Sequence, residues 1–335
     1  MKAVGLYRYL PIDHPESLLD VDIETPPASG RDLLVEVKAV SVNPVDTKRR
    51  RAGNPAKDFV EKTPKILGFD AAGIVKVAGP DCVLFKPGDA VYYAGSILRQ
   101  GTNSEFHLVD ERIVGPKPAN LPFAEAAALP LTTLTAWELM FDRMRISLSG
   151  ADAGRSVLVL GGAGGVGSVA IQLAKKLAKL KVTASASRAE SIAWCKKLGA
   201  DEVVGHADLG SQEFDFVLCF SSSDQYWPSL PKITKPQGKV GLIVRTAKPV
   251  DLAILHDKSI TVCLEGMFTR STFQTADMEA QHALLSEAAA LVEAGVLKGT
   301  MTRNLGKIDA AGLRAAHQLI ENGHVTGKLV LEGWR

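Results

Sequence analysis

No stretch of this sequence approaches ~18 uninterrupted apolar residues, the length a membrane-spanning helix needs, so a membrane role is excluded from the expectations. Cysteine is scarce. Four residues, Cys82, Cys195, Cys219 and Cys263, are scattered with no short paired spacing, which excludes a disulfide framework and reads as buried thiols in a reducing compartment. The seven histidines, at 14, 107, 206, 256, 282, 317 and 324, form no short-spacing pair with cysteine or with one another. An excess of one charge is also missing. Lys and Arg number 39 against 37 Asp and Glu, a formal net charge of +2, which gives no bulk drive toward nucleic acid or an acidic membrane. The one basic run, Lys48-Arg49-Arg50-Arg51, reads as a solvated loop. The opening "MKAVGLYRYL" has no basic-then-apolar leader pattern, and a cytoplasmic protein is expected. Internal repeats and low-complexity tracts are absent.

What remains is a chain of 335 residues, 46% hydrophobic and with 30 glycines, enough for about two domains at the rough prior of ~150 residues each. Residues 1–125 carry short apolar or alternating runs ("DLLVEVKAVSV", "AAGIVKVAG", "DAVYYAG") broken by turn signals such as Lys86-Pro87-Gly88-Asp89. That rhythm predicts a barrel-like β unit. From Pro122 the pattern turns helical, interrupted at Pro130. In residues 126–268 "SVLVL", "KVTASAS", "FDFVLCF", "GKVGLIV" and "SITVCLEGMF" alternate with amphipathic segments. Continuous apolar strands between helices predict an α/β domain, a doubly wound parallel sheet covered on both faces. Residues 269–335 have no such rhythm and are expected to return and complete the first domain.

The strand "SVLVL" runs into "GGAGGVG" and then a helix, giving Gly162-x-Gly164-x-x-Gly167 in the strand-loop-helix context of a dinucleotide-binding Rossmann unit. In that reading Gly162 permits the tight turn and Gly164 lets backbone approach a pyrophosphate. Gly167 allows close packing of helix on strand, and Gly165 and Val166 present N–H groups at the helix N-terminus. An NAD-selective site closes its second strand with Asp or Glu. Here "ASASRAE" offers Ser185, Ser187 and Arg188 instead, groups suited to a 2′-phosphate, so NADPH is the expected cofactor. Ser221 stands at the carboxyl end of the next strand and Ile243 and Val244 at that of the one after, where doubly wound sheets bind ligands.

With "NPVDTK", "LGFDAAGIV", "PGDAVYYAG", "AAALPLTTLTAWE" and "LGADEVV" in that order around the glycine loop, the chain resembles the medium-chain dehydrogenase/reductase superfamily over essentially its whole length. "NPVDTK" is similar to the zinc-free quinone oxidoreductase branch, and "MFTRSTFQTADM" and "GKLVLEGW" to the subgroup labelled zinc-type alcohol dehydrogenase-like. The resemblance implies a GroES-like catalytic domain beside the Rossmann domain. It sets Asn43 where zinc alcohol dehydrogenases carry a catalytic cysteine, and Phe69 where they carry a histidine. "PFAEAAALP" lacks their second cysteine and no four-cysteine lobe is present; no metal is expected. It further implies Asn43 and Asp46 beside nicotinamide and substrate, and Thr132 and Thr135 as hydroxyls at the nicotinamide end. For Asn43 and Asp46 a plain turn and helix cap is the alternative reading. Met267, Phe268 and Phe273 are expected to wall a flat hydrophobic substrate and Tyr92 to offer a phenol, or else to serve ordinary packing. The last apolar strand, within 259–267, is expected to pair with its twin in a homodimer. The function implied is hydride transfer from NADPH to quinones or activated α,β-unsaturated carbonyls without zinc. A zinc-dependent alcohol dehydrogenase and a non-catalytic NADP(H)-binding sensor are the alternatives.

Overall fold

A computed structural model describes residues 1–51, 59–209 and 212–334. The chain forms two compact units. One comprises Met1–Leu131, Phe268–Gly295 and Gly299–Arg335, the other Thr132–Met267 and Val296–Lys298.

The first unit is organised by the 11-residue strand Asp32–Val42. On one side its first half pairs with Phe106–Asp110 and its last four residues with Lys328–Glu332; on the other it pairs with Ala71–Ala78. Ala90–Tyr93 and Val114–Pro116 continue the sheet beyond Ala71–Ala78, all antiparallel, and Met301–Asn304 lies parallel outside Lys328–Glu332. The alternation in "DLLVEVKAVSV" explains the placement. Leu33, Val35, Val37, Val40 and Val42 join Val75, Val91, Val109, Leu329 and Leu331 in one core, each contributing roughly 1.5–3 kcal/mol of apolar burial. Helix Ala310–Glu321 is capped by Asp309, whose side chain accepts the Gly312 N–H at 2.8 Å.

The basic run is not a solvated loop. Pro44–Arg51 is a helix, with its cations in the last turn where they complement the dipole. Arg50 is fully buried, and its guanidinium binds the Glu321 carboxylate and the Leu10 carbonyl. Periodicity gives no warning of this, since of the four cations in the run Arg50 alone is buried.

The second unit holds six parallel strands in the spatial order Glu202–Val204, Lys181–Ser185, Ser156–Leu160, Phe214–Cys219, Thr234–Leu242 and Thr261–Leu264. Numbered along the chain this is 3-2-1-4-5-6, the dinucleotide-binding order. The central strands Ser156–Leu160 and Phe214–Cys219 are buried almost throughout, as apolar strands covered on both faces must be. Thr261–Leu264 ends the sheet, with Leu264 exposed. Among the described residues no helix is long and apolar enough to cross a membrane.

Candidate active site

In the second unit, strand Ser156–Leu160 leads into helix Gly165–Lys176 through four residues. The sharp turn falls on Gly161, at φ 81°, in the region side chains disfavour. Gly162 instead backs onto the sheet, since a Cβ there would stand 2.8 Å from Ala184 Cβ and 3.2 Å from Cys195 Sγ. Gly167 packs tighter still, 2.4 Å from the Gly161 carbonyl oxygen by the same measure. Gly164 is the helix N-cap and is open: a Cβ would meet nothing nearer than the Gly161 oxygen at 3.5 Å. Gly165, Val166 and Gly167 form the first turn, where N–H groups lack intrahelical acceptors. This cradle fits a dinucleotide pyrophosphate.

At the carboxyl end of Lys181–Ser185 the structure separates the three tip residues. Ser187 is exposed, and Arg188 is half-buried with Nη2 donating to Ser191 Oγ at 3.2 Å. Ser185 is interior, its Oγ accepting the Gly161 N–H at 3.0 Å and lying 3.0 Å from His206 Nδ1. Ser221 borders the glycine loop; a Cβ on Gly161 would sit 3.7 Å from its own Cβ. Ile243 and Val244 follow Thr234–Leu242, half-buried, with the Val244 carbonyl accepting from Ser223 Oγ. Thr132, Thr135 and Met267 are buried.

In the first unit, Asn43 and Asp46 meet two groups that pattern reading did not connect to them. Asn43 Nδ2 donates to Asp70 Oδ2 at 2.8 Å and weakly to the Ser41 carbonyl at 3.4 Å. Lys328 Nζ donates to Asn43 Oδ1, to Asp70 Oδ2 at 2.9 Å and to the Val42 carbonyl at 3.3 Å. The other Asp70 oxygen accepts the Leu131 N–H at 2.8 Å. Asn43, Asp46, Asp70 and Lys328 are each at most 3% exposed. Burial raises the Asp70 pKa above the ordinary value, opposed by Lys328, Asn43 and Leu131. Donors reach both its oxygens, an arrangement that favours the charged form against the effect of burial. The Asn43 amide is thus committed inside the cluster.

Asp46 Oδ2 accepts the Asn43 backbone N–H at 2.7 Å, the reciprocal half of a capping box at the start of Pro44–Arg51. Burial pushes its pKa up to about 7. Its folded pKa then lies above the unfolded ~3.9, so between those values the native state holds a proton that the unfolded chain has released. Stability from this group should therefore fall as pH rises from about 4 to 7, by up to ~1.4 kcal/mol per pH unit. Asp46→Asn, which keeps an oxygen for the Asn43 N–H, should flatten that slope in urea denaturation; an unchanged slope would refute it.

Phe69 is buried and meets Phe268 edge-on, ring centroids 5.4 Å apart. Tyr92 is fully buried, its hydroxyl donating to the Leu285 carbonyl at 2.6 Å, so its one proton is committed to the fold. Phe273 is 74% exposed. A zinc ion does not fit these residues. Phe69 offers no lone pair, and the Asn43 oxygen already takes an ammonium. The cation of the cluster is Lys328, and among the described residues no group of three His, Cys, Asp or Glu is placed to hold a metal.

Sequence reading missed Lys328, Gly161 and the partnership of Asp70 with Asn43. The available signals were a lysine opening the otherwise apolar "KLVL" strand and a glycine directly after "SVLVL".

Residues 29–122 match the family described as alcohol dehydrogenase GroES-like domain, and residues 198–331 the family described as zinc-binding dehydrogenase. A zinc-type alcohol dehydrogenase-like protein of Staphylococcus aureus is 40% identical over 338 residues, 99% of each chain. The 2-methylene-furan-3-one reductase of Solanum lycopersicum is 34% identical over 259 residues, 74% of this chain and 63% of its own. The crystal structure of a putative zinc-dependent alcohol dehydrogenase protein from Rhizobium etli superposes with a TM-score of 0.92 at 47% identity, covering 100% of this chain and 98% of that one.

Proposed function

The chain belongs to the medium-chain dehydrogenase/reductase superfamily, with the zinc-type alcohol dehydrogenase-like proteins, and from that premise we propose that it is a zinc-independent, NADPH-dependent reductase of quinones or activated enones. The observation that carries this reading is the Lys328 ammonium bonded to Asn43 and Asp70, beside a phenylalanine at position 69. Such a cluster supplies its own cation and no soft or imidazole ligand. With no metal to polarise a carbonyl, the substrate must be electrophilic already, as a quinone or conjugated enone is. The tomato relative supports the same class, since a 2-methylene-furan-3-one is an enone.

Bound nicotinamide would supply the hydride. The chain's part is to hold and orient. The open backbone at Gly164 and the N–H groups of Gly165, Val166 and Gly167 take the pyrophosphate, and Ser187 and Arg188 face the 2′-phosphate. Ser221, Ile243 and Val244 line the carboxyl edge of the sheet. Asn43, Asp46, Asp70 and Lys328 act as positioning residues, fixing the "SVNPVD" turn through the hydrogen bonds that join them. Steady-state turnover with NADPH and with NADH against quinones, enones, simple aldehydes and alcohols tests the reading. NADPH oxidation fastest with quinones or enones is expected. Preference for NADH or for simple alcohols would overturn it.

A further inference from the structure

His206 follows the strand Glu202–Val204, outside every role assigned above. We propose that it is a specificity-determining residue for the cofactor, presenting a fixed Nε2–H donor to the 2′-phosphate beside Ser187 and Arg188. The inference rests on the NADPH reading and names a recognition group that reading lacks.

The orientation follows from a chain of hydrogen bonds that starts in the glycine loop. The Gly161 N–H donates to Ser185 Oγ at 3.0 Å, so that oxygen acts as acceptor there and its own hydrogen is left to donate. Ser185 is fully buried, and the remaining partner of its hydroxyl is His206 Nδ1 at 3.0 Å. Nδ1 therefore accepts, and the neutral ring carries its proton on Nε2. Tyr226, nearly buried, sets its hydroxyl 3.4 Å from the same Nδ1, a longer and weaker contact than that of Ser185. Nε2 has no partner among the described residues.

Register places the ring with the phosphate-binding tip. Ser185 pairs with Val204 in the last rung between the two parallel strands, and the Ala186 N–H still reaches the Val204 carbonyl at 2.9 Å. Ser187 and His206 thus leave the sheet side by side at its carboxyl edge, the edge where doubly wound sheets bind ligands. A buried serine spent on orienting an imidazole explains why Ser185 lies inside while Ser187 stays outside. The loop that grips the pyrophosphate and the ring that would read the 2′ position are joined by two hydrogen bonds.

The test compares binding of 2′,5′-ADP with that of 5′-AMP by calorimetry, using wild type, His206→Ala, His206→Gln and Tyr226→Phe. Wild type should favour 2′,5′-ADP. His206→Ala should reduce that preference roughly 10- to 150-fold, the scale of one hydrogen bond to a charged group, with 5′-AMP affinity nearly unchanged. His206→Gln, which keeps an N–H donor, should recover part of it, and Tyr226→Phe should lose less than His206→Ala. If wild type shows no preference, the NADPH reading itself fails. If wild type prefers 2′,5′-ADP and His206→Ala keeps the whole preference, His206 has no such role while the NADPH reading stands. Equal loss for both nucleotides would mark a purely structural residue and also overturn the proposal.

Discussion

Lys328→Met should destabilise the protein by about 3–5 kcal/mol, the cost of breaking a buried ion pair from one side. The substitution keeps the length of the side chain and removes the one cation bonded to Asp70 among the described residues. It also strips Asn43 Oδ1 and the Val42 carbonyl of a donor. Asp70 is fully buried and would respond by taking up a proton, which its unfolded form releases above ~3.9. The deficit relative to wild type should therefore be smallest in acid and grow toward neutral pH. Adding Asp70→Asn removes the stranded charge and should recover a substantial part of the loss. Urea denaturation of the single and double variants across pH measures both effects. A single variant as stable as wild type at pH 7 would mean that the cluster is not closed by this lysine.

The second large effect separates binding from folding within one loop. Gly164→Ala should lower NADPH affinity by roughly 10- to 100-fold, because its Cβ enters the open side of the cradle where the pyrophosphate would lie. Stability should change by no more than ~1 kcal/mol, the scale of an N-cap exchange, since the nearest heavy atom is 3.5 Å away. Gly167→Ala should do the reverse. Its Cβ would be driven to 2.4 Å from the Gly161 oxygen and 2.6 Å from the Gly162 oxygen, and overpacking against backbone costs about 1–3 kcal/mol or more. Fluorescence titration with NADPH and thermal unfolding distinguish the two. Equal behaviour of both variants would contradict the division of labour drawn from the geometry.

The parallel sheet was legible because its strands are short, apolar and separated by amphipathic helices, a pattern set by burial on both faces. The glycine loop was legible as a motif, but its roles shifted by one residue. The positive φ lies at Gly161, and only the backbone torsion distinguishes it from Gly162 next door. The Asn43 turn was read, from the resemblance alone, as standing where zinc-dependent relatives carry a ligand. Its partner Lys328 was not, because 285 residues separate them and periodicity carries no information about which distant strand pairs beside Asp32–Val42. Arg50 escaped for a related reason: a guanidinium reads as solvated until a partner such as Glu321 comes from another helix. Ser185 was read as a tip residue on spacing alone, whereas the pleat turns its hydroxyl inward to Gly161.

In the proposed reaction carbonyl reduction needs no metal, because Lys328 fills the place of the cation and the substrate brings its own electrophilicity. Metal content per protomer, measured on the same preparation that oxidises NADPH with a quinone and before and after exhaustive chelation, tests it most directly. Substoichiometric zinc and undiminished turnover after chelation are expected. Stoichiometric zinc with activity lost on chelation and restored by zinc would contradict it.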